Sequence, residues 1–197
     1  MALTKTTSID TIDAWQVGTK GTLVTGNADA ISDSYATMLY LEIALIEASA
    51  SDGVEVIIEV SYGDDEWVQL TPLKGTAETP ATTTINDAAV DAADTAITLT
   101  DATTGDFDVP GRKWFIKDGT IANSEAVRTV VNATHTVTIA QDLIRGHANG
   151  LSVYDRVDEW VIEIPFACSQ VRTLINNVDA SCDCAFTTRI SKVTALT

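Results

Sequence analysis

Residues 182–190 read CDCAFTTRI, and their polarity alternates from one residue to the next. Successive side chains of a β-strand point to opposite faces of the sheet, so this period of two predicts a half-buried strand. Every second residue from Cys182 to Ile190 is assigned to the buried face, and Asp183, Ala185, Thr187 and Arg189 to the other. A short strand at 171–175 and a turn at 176–179 come before it. The stretch 160–168 has the same period, and the residues predicted to share its buried face are Trp160, Ile162, Ile164, Phe166 and Cys168.

An earlier block, residues 36–73, has the same character. Residues 38–46 form an apolar stretch, and residues 54–62 are rich in the β-branched side chains that favour strands. The turn between them ends in Asp-Gly, and a second turn at 63–65 precedes a strand that begins near Trp67. This order predicts a β-meander.

The segment between these blocks combines a linker with short strands. Residues 75–84 are polar and contain Pro80, which predicts a linker, while the Ala- and Asp-rich residues 87–94 suit either a helical turn or more linker. Short strands are then predicted at 95–99, 114–117, 126–131, 136–140 and 151–154. Five short strands in this length predict a small barrel.

The sequence therefore predicts an all-β fold: a β-sandwich, jelly-roll-like, with an inserted small β-barrel domain. The predicted parts are an N-terminal arm at 1–25, the first part of the sandwich at 26–79, the inserted barrel at 80–155 and the second part of the sandwich at 156–197. We favour an insertion over two serial domains because neither flanking block alone has enough strands for two packed sheets. The arm, rich in Thr and Gly, is predicted to be extended and to become ordered on a neighbouring molecule.

The charge balance argues against two classes of partner. The 197 residues include 28 acidic and 12 basic side chains, for a formal net charge of −16. Nucleic acids and anionic membranes need basic patches, so neither is an expected partner. No apolar run approaches the ~20 residues that span a bilayer. No apolar stretch follows Lys5, so no secretory signal is predicted. The odd number of cysteines is not a disulfide framework, and synthesis in a reducing cytoplasm is therefore expected.

The middle segment also resembles a known module. The residues that carry the resemblance are 96–102 (AITLTDA), 111–116 (GRKWFI), 124–128 (SEAVR), 136–140 (TVTIA) and 145–150 (RGHANG). In that order they resemble a small β-barrel module common in tailed-bacteriophage virion proteins. The flanking blocks resemble, in general pattern only, the β-sandwich domains of phage head-decoration and head-to-tail proteins. The resemblance implies a structural role in a particle and carries no catalytic residues.

The residues that could serve catalysis or bind a metal or cofactor are also expected to have ordinary structural roles. The two histidines, His135 and His147, fall in predicted turns, and His147 is expected to stabilise its turn by a hydrogen bond to the backbone. Two carboxylate clusters, at 64–66 and at Asp101, Asp106 and Asp108, also fall in turns and lack the spacing of an EF-hand. Phosphate-binding glycine loops are missing as well. We therefore expect no enzyme activity, no metal and no cofactor.

The cysteines and tryptophans leave alternatives open. Cys168, Cys182 and Cys184 are expected in the core, with a disulfide from Cys168 to one of the pair, or between subunits, as the alternative. The four tryptophans are expected to anchor the core or to lie at a subunit interface, or else to form a sugar-binding platform: Trp15, Trp67, Trp114 and Trp160.

These observations favour a phage virion structural protein, made in the host cytoplasm and assembled into the virion. The preferred role is a capsid decoration, or cement, protein that stabilises the head shell by binding the major capsid protein or other virion proteins. Such a protein would be a homo-oligomer, with a trimer favoured. One alternative is a neck or tail connector, and another is a carbohydrate-binding or adhesion module using the insert and Trp114.

Overall fold

The computed structural model describes residues 5–12, 14–26, 28–32, 34, 36–47, 52–63, 66–103 and 105–196. These ranges hold eighteen strands, and their one helix is the short 3-10 helix Ile121–Asn123. The strands are β1 Lys5–Ile12, β2 Gln16–Gly18, β3 Thr22–Thr25, β4 Asp29–Ala30, β5 Ala36–Leu45, β6 Val54–Ser61, β7 Val68–Lys74, β8 Thr82–Thr84, β9 Ala89–Val90, β10 Ala96–Thr98, β11 Lys113–Ile116, β12 Glu125–Ala133, β13 Thr136–Ile139, β14 His147–Ala148, β15 Ser152–Tyr154, β16 Asp158–Ile164, β17 Gln170–Asn177 and β18 Cys184–Leu196.

Two antiparallel sheets form a sandwich. The first sheet has the order β1-β18-β5-β16, and the second has the order β3-β17-β6-β7. The short strands β2 and β4 add to β18 and β17. When the eight strands of these two orders are numbered along the chain, the first sheet has the order first, eighth, third, sixth and the second has second, seventh, fourth, fifth. This is the strand order of a jelly roll, so the predicted jelly-roll-like sandwich is confirmed.

The sandwich core is built from alternate residues of its central strands. In β6 and β17 every second side chain is buried, among them Val56, Ile58 and Ile175. Strand β5 departs from this alternation, because Leu41 to Ile46 are all buried. Leu41 and Ile43 face the core between the two sheets, while Ala44 and Ile46 face the barrel. Burial on both faces explains why the sequence is apolar here without interruption except at Glu42.

The strands β8 to β15 form the inserted barrel. Six of them make one antiparallel sheet in the order β10-β13-β12-β11-β15-β8. A bridge between Ile85 and Leu99 joins its first and last strands, supported by hydrogen bonds from Asn86 N to Thr98 O (2.9 Å) and from Thr100 N to Thr84 O (2.8 Å). The sheet is therefore closed, and its interior is filled by apolar side chains that include Phe107, Trp114, Ile116, Val127 and Val153.

The barrel is inserted between the fifth and sixth strands of the jelly roll. Every strand partner of β8 to β15 in the described ranges is another of these strands, and β16 to β18 pair with β1 to β6. The partners change between Lys74 and Thr82 and again between Tyr154 and Asp158. The all-β fold with an inserted barrel is thus confirmed, while the domain limits at residues 80 and 155 stay predictions.

The N-terminal segment is not a free arm in this structure. Strand β1 pairs with β18 along the edge of the first sheet, β2 pairs with the other end of β18, and β3 pairs with β17. The residues of the predicted arm that the structure describes therefore complete the sandwich. The ordering of this segment on a neighbouring molecule stays a prediction.

Two local predictions, on the linker and on Phe166, are wrong. The last three residues of the predicted linker form β8 and pair with β15. Phe166, predicted to be buried, is 73% exposed, because β16 ends at Ile164 and a turn follows in which Cys168 N donates to Pro165 O at 3.1 Å. The turn breaks the alternation, so Phe166 no longer shares a face with Ile164.

Candidate interaction surfaces and the junction between sandwich and barrel

The sandwich and the barrel meet at an apolar junction. Phe115 of β11, on the outside of the barrel, packs against Trp15 with ring centroids 4.5 Å apart. Tyr154 of β15 and Ala185 of β18 are buried in the same cluster. Ala185 was predicted to lie on the solvent face of its strand, and it is buried because the barrel covers that part of the first sheet.

An ionic network lies beside this apolar cluster. The ammonium of Lys113, on β11, bonds the carboxylate of Glu42, on β5, and their side chains are only 11% and 8% exposed. Lys113 Nζ also donates to Tyr40 Oη at 2.8 Å and lies 3.2 Å from Glu159 Oε2. Glu159 in turn binds the guanidinium of Arg128 on β12. The network therefore ties two barrel cations to two acids and one tyrosine of the sandwich.

The electrostatics of the network favour its charged form. Burial by itself would lower the pKa of Lys113, but the Glu42 carboxylate raises it, and the net effect is a raised pKa. Partial burial would likewise raise the pKa of Glu159. The Arg128 guanidinium, the Tyr40 hydroxyl and the Lys113 ammonium outweigh this effect and hold the pKa of Glu159 at about 2. Lys113 and Glu159 are thus both charged at neutral pH.

The depressed pKa of Glu159 predicts an acid-dependent stability. A carboxyl with a lowered folded pKa contributes stability above its unfolded pKa, and this is lost as the pH falls through the folded value. For Glu159 the window runs from 4.5 down to about 2. We expect the urea midpoint of the wild type to fall across this window more steeply than that of Glu159→Gln. Parallel pH profiles of the two proteins would show that Glu159 is not held by the network.

A groove lies on each side of the junction. The larger, of about 580 Å³, is lined by Tyr40, Lys113, Arg145 and Arg189, with the 80% exposed Ile144 at its rim. The smaller, of about 370 Å³, holds several cations, and each is paired with an acid: Arg112 with Asp106, Arg156 with Glu78, and Arg128 and Lys113 with Glu159. Within the described ranges no three His, Cys, Asp or Glu side chains come together in a way that could hold a metal ion.

The four tryptophans do not share a surface. Trp114 is fully buried in the barrel, where its Nε1 donates to Thr129 Oγ1 at 2.9 Å. Trp15 is buried at the junction, and Trp160 packs against the sandwich core. Trp67 is half-buried beneath the guanidinium of Arg172, which lies 4.0 Å from the ring centre. Trp114 thus anchors the barrel core, and its burial leaves it no exposed surface for a partner in this structure.

The three cysteines are free thiols in the core of the sandwich. Cys184 packs against Gly18, where an added Cβ would lie 2.5 Å from the sulfur. Burial raises the pKa of Cys184 to about 12 and also raises that of Cys182. The structure thus has the core arrangement, and the alternative disulfide from Cys168 is not formed in it.

The burial of the thiols predicts that they are unreactive. With a pKa of about 12, only about one Cys184 thiol in ten thousand is ionised at pH 8. We expect a thiol reagent at that pH to modify none of the three in the native protein, and all three in denaturant. Rapid reaction of the native protein would contradict the burial, and a count of one thiol in denaturant would reveal a disulfide.

The two histidines lie in different elements. His135 is exposed in the hairpin between β12 and β13, as predicted for a turn. His147 is buried, and its Nε2 lies 2.8 Å from Glu125 Oε2. Glu125 also accepts hydrogen bonds from Ile144 N (2.7 Å) and Arg145 N (3.3 Å). His147 therefore stabilises its loop through Glu125 instead of by the predicted direct bond to the backbone.

The predicted carboxylate clusters do not form one site. Asp101 accepts from Thr103 N at 2.8 Å within its own turn, and Asp106 pairs with Arg112. Asp64 and Asp65 lie outside the described residues.

Sequence reasoning missed the Lys113–Glu42 pair. The available signal was Glu42 itself, since a carboxylate inside a buried apolar strand needs a partner. A single sequence does not say which of the twelve basic residues supplies that partner, because the pairing depends on how the barrel docks.

The comparisons with known proteins show no family and carry no argument about the fold. No protein-family model matches the chain, and no curated protein matches it. A structure described as infectious bursal disease virus Gt strain matches 97% of this chain at 11% identity and a TM-score of 0.25, and the chain covers 40% of that one. A structure described as VP17, a capsid protein of bacteriophage P23-77, matches 99% of both chains at 9% identity and a TM-score of 0.20. Scores this low carry no argument about function.

None of the helices in the described ranges is both long and apolar enough to cross a bilayer.

Proposed function

We propose that this protein is a non-enzymatic structural component of a virion. The observation that carries the proposal is the jelly-roll strand order of the sandwich, a fold used by viral capsid domains. The sequence resemblance of the inserted barrel to a module of tailed-phage virion proteins supports the same role. Because one fold serves many functions, the fold is support by analogy.

The junction suits this role. A particle component has to keep its two parts in one arrangement, and the network around Lys113 and Glu42 joins strands of the sandwich and the barrel with little exposure to solvent. The apolar cluster around Trp15 and Phe115 adds to the same contact.

Within this role we favour a capsid decoration protein. It would bind the major capsid protein on the outside of the head shell and stabilise the shell by mass action over many contacts. A neck or tail connector remains the second candidate. A carbohydrate-binding module is a third, since lectin domains also use the jelly roll, but the burial of Trp114 removes the residue on which that idea depended.

Deletion of the gene from the virus that encodes this chain tests the proposal. If the protein decorates the shell, particles still assemble and are inactivated faster by heat or by dilution into low salt, and added purified protein restores their resistance. If it is a connector, the deletion yields heads without tails. Intact particles with unchanged resistance would overturn the structural role altogether.

A further inference from the structure

In the described ranges no strand is stacked on the outer face of the second sheet, formed by β3, β17, β6 and β7. The barrel covers part of the outer face of the first sheet, whereas on the second sheet the Trp67 ring lies against Arg172 at one end of the face. Along β6 and β17 the outward side chains alternate with the buried ones, and all of them are partly exposed. We call this surface the second-sheet face.

An apolar band crosses the middle of the second-sheet face. Leu174 of β17 lies opposite Ile57 of β6, and Ile57 lies opposite Pro72 of β7. Leu23 of β3, which is 55% exposed, is diagonal to Leu174 across the β3–β17 pair. Side chains that meet across neighbouring strands form one surface. The band therefore runs over all four strands.

The charges that flank the band cancel. On one side Glu55 lies opposite Lys74, and on the other Arg172 binds Glu59 with its Nε 2.7 Å from Oε2. Each row carries one acid and one base, so the face has no net charge in a chain of formal net charge −16. The chain as a whole is acidic, so two copies repel each other on average. On the second-sheet face the apolar bands of two copies related by a two-fold axis can meet, and the neutral flanking rows add no repulsion.

We infer that the second-sheet face is a contact surface for a second copy of this chain. The inference deepens the proposed structural role by naming a surface for self-association, and it rests on that role only for the expectation that many copies occur together. A test on purified protein can therefore contradict self-association while the virion role stands. Equally, the virion role can fail while self-association is observed.

The area of the second-sheet face sets the expected affinity between two copies. Strands β6 and β17 have eight residues each, or about 27 Å, and four strands span about 19 Å. A face of roughly 500 Å² lies below the ~800 Å² per partner of a standard interface. The contact should be weak, with a dissociation constant in the micromolar range or above.

Sedimentation velocity of the full chain from about 1 to about 300 µM tests this, since mass action makes a weak dimer visible only at the upper end. We expect a monomer–dimer equilibrium for the wild type and at least a ten-fold weaker one for Leu174→Glu. The control Val161→Glu adds the same charge at a 61% exposed position of the first sheet and should behave as the wild type. If Leu174→Glu unfolds by circular dichroism, Leu23→Glu replaces it.

Salt provides an independent readout. Screening weakens the repulsion between two acidic chains but leaves apolar contact intact, so a rise from about 0.05 to about 0.5 M NaCl should tighten the wild-type dimer. Weakening by salt would show that ion pairs hold the copies together. That result would overturn the inference. So would a wild type that stays monomeric, or an oligomer such as a trimer that persists in Leu174→Glu.

Discussion

Replacing Lys113 with Met should destabilise the protein by about 3 kcal/mol, because breaking a buried ion pair leaves an uncompensated charge. Glu42 is 8% exposed on its side chain, so solvent cannot substitute for the lost ammonium. We take the lower end of the usual 3–5 kcal/mol range, since Tyr40 Oη still donates to Glu42 Oε1 at 3.0 Å. The free energy of unfolding from urea titration at neutral pH is the measurement.

The double variant Lys113→Met with Glu42→Leu is the matched control. Replacing both partners by apolar side chains removes the stranded charge, so we expect it to recover to within about 1 kcal/mol of the wild type. If Lys113→Met alone lies within about 1 kcal/mol of the wild type, the junction does not depend on this pair.

Replacing Trp114 with Ala should cost about 4 kcal/mol, the usual cost of deleting a buried aromatic side chain. The side chain is fully buried, and its ring packs edge-on to Phe107 with centroids 6.1 Å apart. The change also removes the donor to Thr129 Oγ1. Both the cavity and the lost hydrogen bond act inside the barrel.

Trp114→Phe separates these two contributions. It keeps an aromatic ring in the core and loses the indole hydrogen bond and some volume, so we expect a loss of about 1–2 kcal/mol. Because Trp114 has no exposed surface, folded Trp114→Phe should also sediment as the wild type does. An unchanged stability together with altered association would place Trp114 at a surface and contradict the structure.

The sequence predicted the strands well where one face is buried. The alternation at 182–190 and the β-branched run at 54–62 correspond to β18 and β6. Burial imposes a period of two on the side chains, and that period is visible in a single chain. The small barrel was also visible, because its short strands are separated by Gly- and Asp-containing turns.

The errors arose where tertiary contacts override local pattern. Strand β8 is a run of threonines that becomes a strand only because β15 lies beside it. Ala185 is buried because the barrel docks there, and Phe166 is exposed because a turn intervenes. The Lys113–Glu42 pair depends on the same docking. Apart from the local turn at Phe166, these features join residues far apart in sequence, and no local period records them.

The number of copies in purified virions tests the central claim most directly. Under the proposed function a virus encodes this chain, and quantitative mass spectrometry of its particles would give the ratio of this protein to the major capsid protein. The account predicts on the order of hundreds of copies per particle, as a protein repeated over a symmetric shell requires. About six or twelve copies would place it in a ring at the neck or tail. Its absence from the particles would contradict the account.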